Sequence, residues 1–280
     1  MLLAPVPLWL LKLQVQLQTL YEEEVYMKRK AAVLLLSMIL SIIMMSGSAF
    51  AEEEESLTET ITDALHSSIQ HEKDTPEWIT DLPAAEDATQ LFVIAGFDMD
   101  STTATISMHE KDEEGNWKQI LSTPGFVGKN GLCLDEDHVE GCGQTPVGVY
   151  HFNKAFGIAA DPGCALPYTQ VDDDIYWSGD ENCHYNEMVK LSEYPDLDMK
   201  NSEHIVDYEY EYQYCLNISF NEEGAPGRGS AIFLHCFGPV KFFTGGCVSV
   251  PENIMKLIMQ NVHEDCVVVI DTLENMGGSL

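Results

Sequence analysis

A histidine and two cysteines lie around a Gly-Gly turn in the segment AIFLHCFGPVKFFTGGCVSVPENIMKL, residues 231–257. A thiol attacks a carbonyl carbon as its thiolate. A free cysteine with a pKa near ~8.5 needs a cationic neighbour or a helix N-terminus to ionise at neutral pH. The sequence offers Cys247 both, because a helix is predicted to begin at Ser249 and His235 ends a predicted strand 12 residues upstream. Cys247 is therefore the candidate nucleophile and His235 its candidate base.

Cys236 competes with Cys247 for this role. Neighbouring residues of a strand point to opposite faces, so the side chain of Cys236 is predicted to face away from that of His235 and to be packed or bridged. Gly245 and Gly246 allow a sharp backbone turn before Cys247. The main-chain N–H groups of Gly246 and Cys247 are predicted to stabilise the oxyanion of a tetrahedral intermediate.

Short β-like runs separated by Gly, Pro, Asp and Asn clusters must position these residues. Such spacing is typical of an all-β sandwich or barrel, and DEEGNW (112–117) is predicted to be a hairpin turn. The predicted strands are QLFVIAGF, ATISMHE, WKQILST, TPVGVYHF, YCLNISF, GSAIFLHC and CVVVIDT.

One helix interrupts this pattern, in SVPENIMKLIMQNV. Ser249 and Glu252 have the spacing of a capping box, and Pro251 is tolerated in the first turn. The predicted buried stripe consists of Ile254, Leu257, Ile258 and Val262. The fold class expected is mainly β, with a short helix after the candidate cysteine.

The N-terminal part of the chain has the layout of an export signal. Residues 27–51 combine a basic start, an apolar run and an A-x-A site, which predicts a cleaved signal peptide rather than a membrane anchor. Residues 1–26 precede Met27, which we take as the true start. Residues 52–85 are predicted to be an acidic spacer with one short helix, and residues 86–280 the functional domain.

The net charge of −32 limits the partners of the chain. So negative a surface repels phosphate backbones and anionic lipid heads, which argues against nucleic acid or a membrane as a partner after signal cleavage. The eight cysteines suit an oxidising compartment, and Cys133 with Cys142 is the expected disulfide.

Spacing alone leaves three interpretations of His235 and Cys247 open: a catalytic pair, two core residues, or part of a structural zinc site. The last is disfavoured because no C-x-x-C or H-x-x-x-H pair is present, and no metal or organic cofactor is expected.

The order of motifs resembles that of YkuD-type L,D-transpeptidase domains, in which a histidine precedes an [S/T]-x-G-C-[V/I] element. The segments that carry the resemblance are GFVGKNGL, GQTPVGVYHFNKAFGIAADPG, LPYTQVDDDIYW, HYNEMV, SAIFLH and TGGCVSVPENIMKLI. Carried over by residue, Cys247 matches the nucleophile, His235 the base, Gly246 the glycine before the cysteine and Thr244 the Ser/Thr of the motif.

The resemblance also covers Thr145, Pro146 and Gly148, which match a TPxG element that opens a strand. The chain departs from the pattern at two positions. Gly245 stands where many members of the family have histidine, and Ser249 stands where they have arginine or asparagine. These departures leave the donor specificity of the domain open.

Four further residues are candidates for binding a substrate. Lys241 and Arg228 flank the motif and could hold a substrate carboxylate, or could only solubilise loops. Trp177 and Tyr185 could line the cleft by analogy with the aromatic segment of the family.

The resemblance implies acyl transfer on peptidoglycan stem peptides, outside the cytoplasm and at the cell wall. In that reaction Cys247 displaces a terminal D-alanine and the thioester passes to an amine. The alternatives are an L,D-carboxypeptidase, in which water resolves the thioester, and a secreted wall-binding module without catalysis. A main-chain carbonyl in the loop CFGPV is expected to orient His235.

Overall fold

The computed structural model describes residues 73–239 and 241–279, and these residues form a mainly β domain. The prediction of a mainly β fold with one short helix after Cys247 is confirmed. The strands are β1 (Lys73–Asp74), β2 (Gln90–Gly96), β3 (Thr103–Lys111), β4 (Trp117–Phe126), β5 (Leu132–Leu134), β6 (Thr145–Gly157), β7 (Tyr168–Gln170), β8 (Ile175–Trp177), β9 (Met188–Lys190), β10 (Glu203–His204), β11 (Cys215–Ile218), β12 (Phe233–Cys236), β13 (Val248–Val250) and β14 (Val267–Thr272). The α-helices are α1 (Glu77–Thr80) and α2 (Glu252–Asn261).

The predicted signal peptide, the upstream residues 1–26 and the predicted helix of the spacer lie outside the described residues. Within the described residues, no helix has the length and apolar character needed to cross a membrane.

The larger sheet closes on itself. Its strands follow the order β4-β13-β12-β11-β6-β14-β2-β3, and β3 pairs back with β4 to complete the circuit. Most neighbours are antiparallel, but β12 pairs with β13 in parallel, as β2 does with β14. A separate three-stranded sheet has the order β10-β8-β9.

Apolar side chains fill three regions around this barrel. The largest core packs α2 against the inner faces of the strands, with Phe92, Leu216, Leu234, Val248 and Ile258 among its members. A second core lies on the other face of β11 and β12, and a third covers the outer face of β2 and β14. Because both of its faces are covered, β2 is buried along its whole length.

Residues 73–85 belong to this folded domain, although the sequence placed them in the spacer. β1 pairs with β4, and Ile79 of α1 is 1% exposed against the outer face of β2. Removing the apolar side chains of that face from water stabilises the fold, and α1 buries them. The domain therefore begins before residue 86.

The predicted strands agree with the structure in position, with one informative difference. The run GSAIFLHC becomes a strand only at Phe233, because Ala231 has a left-handed φ of 55° that breaks the extended backbone. The hairpin turn at 112–117 is present: the N–H of Asp112 donates to the carbonyl of Asn116 at 2.9 Å, and Gly115 has φ 83°.

The helix after Cys247 begins later than its predicted capping box. Ser249 lies in β13, where it pairs with His235 and Phe126, and α2 begins at Glu252 behind Pro251, with no side-chain capping bond. Sheet pairing therefore overrides the local capping signal. The prediction for Leu257 is also wrong, since it is 43% exposed, whereas Met255, Ile258, Met259 and Val262 form the buried stripe.

Candidate active site

The parallel pair β12 and β13 brings the candidate histidine and cysteine to one face of the sheet. His235 pairs with Ser249, and Cys247 lies two residues before Ser249, so both side chains point to the same side. Cys247 belongs to the second core, with Phe233 and Cys215. Cys236 faces the other way and packs in the main core, 1% exposed.

A tight turn leads into Cys247. Gly246 has φ 149°, and a Cβ atom there would lie 2.9 Å from the carbonyl oxygen of Gln144. The position therefore requires glycine for both its conformation and its space. Gly245 differs, because a Cβ atom there would meet nothing within 4 Å.

Two threonines hold this turn. The hydroxyl of Thr244 donates to the carbonyl of Cys247 at 2.5 Å and accepts the N–H of Gly246 at 3.1 Å. The hydroxyl of Thr145 donates to the carbonyl of Gly246 at 2.7 Å and accepts the N–H of Gly128 at 2.9 Å. Because Thr244 already accepts the Gly246 N–H, this group is not free to act as one of the two predicted oxyanion donors.

The sulfur of Cys247 is held by main-chain atoms. It donates to the carbonyl oxygen of Ala231 at 3.1 Å and accepts the N–H of Phe233 at 3.4 Å. The hydroxyl of Tyr212 lies near this sulfur, and its proximity lowers the pKa of the thiol. Across residues 73–239 and 241–279, none of the hydrogen bonds of this sulfur goes to His235.

The expected thiolate is not the resting form of Cys247. Burial raises the pKa of its thiol to about 12, with a further contribution from the charge of Glu203. The helix N-terminus that was expected to lower this pKa lies five residues away, because β13 intervenes. The thiol is therefore protonated at neutral pH in this arrangement.

His235 is oriented by a main-chain carbonyl, as predicted. Its Nδ1 donates to the carbonyl oxygen of Cys236 at 2.7 Å, so Nε2 carries the lone pair. Burial lowers the pKa of His235 to about 4. The imidazole is therefore neutral at pH 7, which is the form that accepts a proton.

Tyr212 and Glu203 complete the site, and the sequence did not single out either. The Tyr212 ring packs edge-to-face on that of His235, with centroids 5.4 Å apart. The Tyr212 hydroxyl also donates to Oε2 of Glu203 at 2.7 Å. Burial raises the pKa of Glu203 to about 7. No local motif marks these residues, because β10 and the short 3₁₀ helix Glu211–Gln213 bring them over β12 from separate upstream segments.

Trp177 lies behind the site rather than on a surface open to substrate. Its side chain is 2% exposed and packs on Phe156 and Phe233. Its indole N–H donates to Oδ1 of Asn186 at 2.9 Å, and the same oxygen accepts the N–H of Ala231 at 3.0 Å. Trp177 and Asn186 thus fix the left-handed Ala231 whose carbonyl meets Cys247.

Two of the other proposed substrate contacts, Arg228 and Tyr185, are bonded to acidic side chains. Arg228 forms ion pairs with Asp135 and with Glu223, the latter at 2.8 Å, so its charge is already paired. Tyr185 is buried and donates to Oε2 of Glu140 at 2.5 Å. Lys241 is exposed in the loop that precedes Thr244.

Cys133 and Cys142 lie close together, as predicted, but as two free thiols rather than a disulfide. His138, between them in sequence, shares their site.

The domain has distant likenesses among solved structures. The cell-shape determining protein Pgp2 from Campylobacter jejuni aligns with 67% of this chain and 49% of its own, at 13% identity and a TM-score of 0.35. An L,D-transpeptidase from Enterococcus faecium, as its C442S mutant, aligns with 66% of this chain and 50% of its own, at 14% identity and a TM-score of 0.30.

The chain thus spans about half the length of these solved structures. No protein-family model matches it, and the search of curated proteins finds no match. Likenesses this distant assign neither a family nor an activity to the chain.

Proposed function

We propose that this protein is a cysteine acyltransferase acting on peptidoglycan stem peptides, an L,D-transpeptidase that works outside the cytoplasm. The observation that carries the proposal is the placement of His235 and Cys247 on one face of the parallel strands β12 and β13, behind a turn that requires glycine at Gly246. A nucleophile and a base on rigid neighbouring strands suit covalent catalysis.

In the first half-reaction, Nε2 of His235 takes the proton of the Cys247 thiol as the sulfur attacks the carbonyl carbon before a terminal D-alanine. The C–S bond forms and the C–N bond then breaks. His235 returns the proton to the leaving nitrogen, so D-alanine departs as a free amine. The acyl group remains on Cys247 as a thioester. The N–H of Cys247 stabilises the oxyanion.

In the second half-reaction, the amine of a neighbouring stem attacks the thioester carbon. His235 takes a proton from that amine, the C–S bond breaks, and the proton returns to the sulfur. One amide has been exchanged for another, so no net oxidation or hydrolysis occurs. The protein needs no metal at the reacting atoms for this sequence.

Catalysis requires a change in the contacts of Cys247. Its sulfur must leave the carbonyl of Ala231 and reach Nε2 of His235, and the substrate must enter a site in which both residues are 6% exposed. Hydrogen bonds between catalytic groups often tighten only when substrate binds. The two strands already provide the shared face, so a side-chain rotation of Cys247 is the main step.

Acylation by a carbapenem β-lactam tests the proposal. Intact mass should increase by one inhibitor per chain in the wild type and in Cys236→Ala, and should not change in Cys247→Ala. Unaltered mass in the wild type, or loss of the adduct in Cys236→Ala alone, would contradict the assignment. Incubation with muropeptides then distinguishes the reactions, because dimers indicate transfer and shortened monomers indicate L,D-carboxypeptidase activity.

One observation favours the non-catalytic alternative, a wall-binding module. Cys247 is buried, protonated and bonded to main-chain atoms, as a structural cysteine would be. Thiol labelling under native conditions separates the two: a catalytic Cys247 is modified while the domain stays folded, whereas a structural one is modified only on unfolding.

A further inference from the structure

Two cysteines and a histidine form a compact cluster on β5 and the segment that follows it. The ligand atoms of Cys133, His138 and Cys142 all lie within 4.8 Å of one another. Cys133 and His138 are buried, at 6% and 5% exposure, and Cys142 is partly exposed. The cluster is separate from His235 and Cys247.

The spacing of these atoms matches what a tetrahedral ion needs. With Zn–S bonds of about 2.3 Å and Zn–N bonds of about 2.0 Å, ligand atoms around a tetrahedral zinc lie roughly 3.5–3.8 Å apart. Small side-chain rotations therefore suffice to bring the three groups onto one ion. Zinc was disfavoured from the sequence because no C-x-x-C pair is present. The three residues have the spacing Cys133-x₄-His138-x₃-Cys142, and the folded loop brings their ligand atoms together without that motif.

Both ring nitrogens of His138 face main-chain carbonyl oxygens. Nδ1 lies 2.8 Å from the carbonyl oxygen of Arg228, and Nε2 lies 3.1 Å from that of Gln144. A neutral imidazole has one N–H and can satisfy only one carbonyl. With the proton on Nδ1, at the shorter contact, the lone pair of Nε2 faces an oxygen, and a cation beside Nε2 relieves that repulsion.

Such an arrangement is typical of metal-bound histidine. A ligating imidazole usually donates its other N–H to a carboxylate or a main-chain carbonyl, which fixes the tautomer and the ring orientation. The main-chain N–H of Gln144 also points to the sulfur of Cys142 at 3.4 Å, which would stabilise a thiolate there.

We propose that Cys133, His138 and Cys142 bind a thiophilic divalent cation, for which Zn²⁺ is the best chemical match. Two thiolates and a neutral imidazole around Zn²⁺ give a site of zero net charge, and solvent supplies the fourth ligand. Binding releases two thiol protons and involves no oxidation.

The position of the cluster gives the ion a structural role next to the turn before Cys247. Gln144, whose carbonyl lies beside His138, also approaches Gly246, and Thr145 donates its hydroxyl to the carbonyl of Gly246. His138 joins the same loop to Arg228. An ion here would therefore hold together two loops that support the turn.

The test is the metal content of the full chain, purified with a phosphine reductant and dialysed against ZnCl₂. We expect about one zinc per wild-type chain by mass spectrometry. Cys133→Ser and His138→Gln should each lose most of it, and the matched control Cys183→Ser should retain it. Cobalt substitution adds a readout of the ligands: tetrahedral d–d bands and a sulfur-to-cobalt charge-transfer band should appear in the wild type and in Cys183→Ser.

Zinc removal by a chelator should lower the melting temperature of the wild type by several degrees and leave that of His138→Gln unchanged. Zinc-free wild type after dialysis, a Cys133–Cys142 disulfide found by peptide mapping of that sample, or equal zinc loss in Cys183→Ser would each overturn the site. None of these measurements uses acylation of Cys247, so the metal site and the proposed function can fail separately.

Discussion

The hydroxyl of Tyr212 donates to Oε2 of Glu203 at 2.7 Å and lies close enough to the sulfur of Cys247 to offset part of the rise in the pKa of its thiol. A phenol has one proton, so it can donate to only one of these partners at a time. When Glu203 is protonated it can donate to the Tyr212 oxygen, which leaves the phenol proton for the sulfur. An ionised Glu203 instead accepts the hydrogen bond of the phenol, and the sulfur loses its donor.

Tyr212→Phe should slow acylation of Cys247 by a carbapenem about 10- to 100-fold, because a hydrogen bond to a charged sulfur contributes about 1.5–3 kcal/mol. Tyr208→Phe is the matched control, since Tyr208 stacks on the Tyr212 ring at 4.4 Å and phenylalanine keeps that stacking. The rate is measured by intact mass against time. An unchanged rate in Tyr212→Phe would remove the hydroxyl from the mechanism.

Glu203→Gln should stabilise the protein at alkaline pH. Burial raises the pKa of Glu203 from 4.5 to about 7, so between those values the folded state holds a proton that the unfolded state has released. Wild-type stability therefore falls as pH rises through this window. Glutamine carries no charge and escapes this loss.

The unfolding free energy of Glu203→Gln minus that of the wild type should thus rise by on the order of 2 kcal/mol between pH 4.5 and pH 7 and then level off. Urea titrations at a series of pH values measure it. Taking the difference cancels the opposite trend from His109 and His235, whose pKa values burial lowers to about 4. A pH-independent difference would show that Glu203 ionises normally in the folded state.

Gly246→Ala should destabilise the domain by about 1–3 kcal/mol, because an L-residue at φ 149° is strained and its Cβ would meet the carbonyl of Gln144. Gly245→Ala, one residue away, should change stability by less than about 0.5 kcal/mol because its Cβ position is open. Urea unfolding of both variants provides the comparison. Equal effects would mean that the turn tolerates a Cβ.

Asn186→Ala should destabilise the domain by about 2–4 kcal/mol and should loosen Cys247. The substitution removes the acceptor shared by Trp177 and Ala231, as well as the donors to the carbonyls of Phe220 and Asn221. Asn201→Ala is the control, because Asn201 is exposed and its side-chain amide donates to the nearby exposed Asp198. We expect faster iodoacetamide labelling of Cys247 in Asn186→Ala and not in Asn201→Ala. Equal labelling rates would place Asn186 outside the support of the site.

Much of the architecture could be predicted from local patterns. The unbroken apolar runs in QLFVIAGF and CVVVIDT located β2 and β14, and the 3.6-residue period after Pro251 located α2. These signals are local because a side chain's direction in a strand or helix follows from residue spacing alone. The opposite orientations of His235 and Cys236 follow from the same rule.

The start of α2 could not be predicted from its capping signal. Ser249 and Glu252 have the spacing of a capping box, yet Ser249 pairs with His235 across a parallel ladder. That ladder joins segments 14 residues apart, and its hydrogen bonds compete with a single capping bond. The same pairing separates Cys247 from the helix N-terminus, while burial keeps its thiol protonated.

The sequence by itself determined the mainly β fold, the helix after the turn, the side of the strand that His235 takes and the need for small residues before Cys247. The tertiary structure alone decided the protonation of Cys247, the position of Glu203 and Tyr212 beside it, and the approach of His138 to Cys133 and Cys142. Local features depend on spacing along the chain, whereas a pKa or a ligand cluster depends on burial and on groups that only folding brings within a few ångströms.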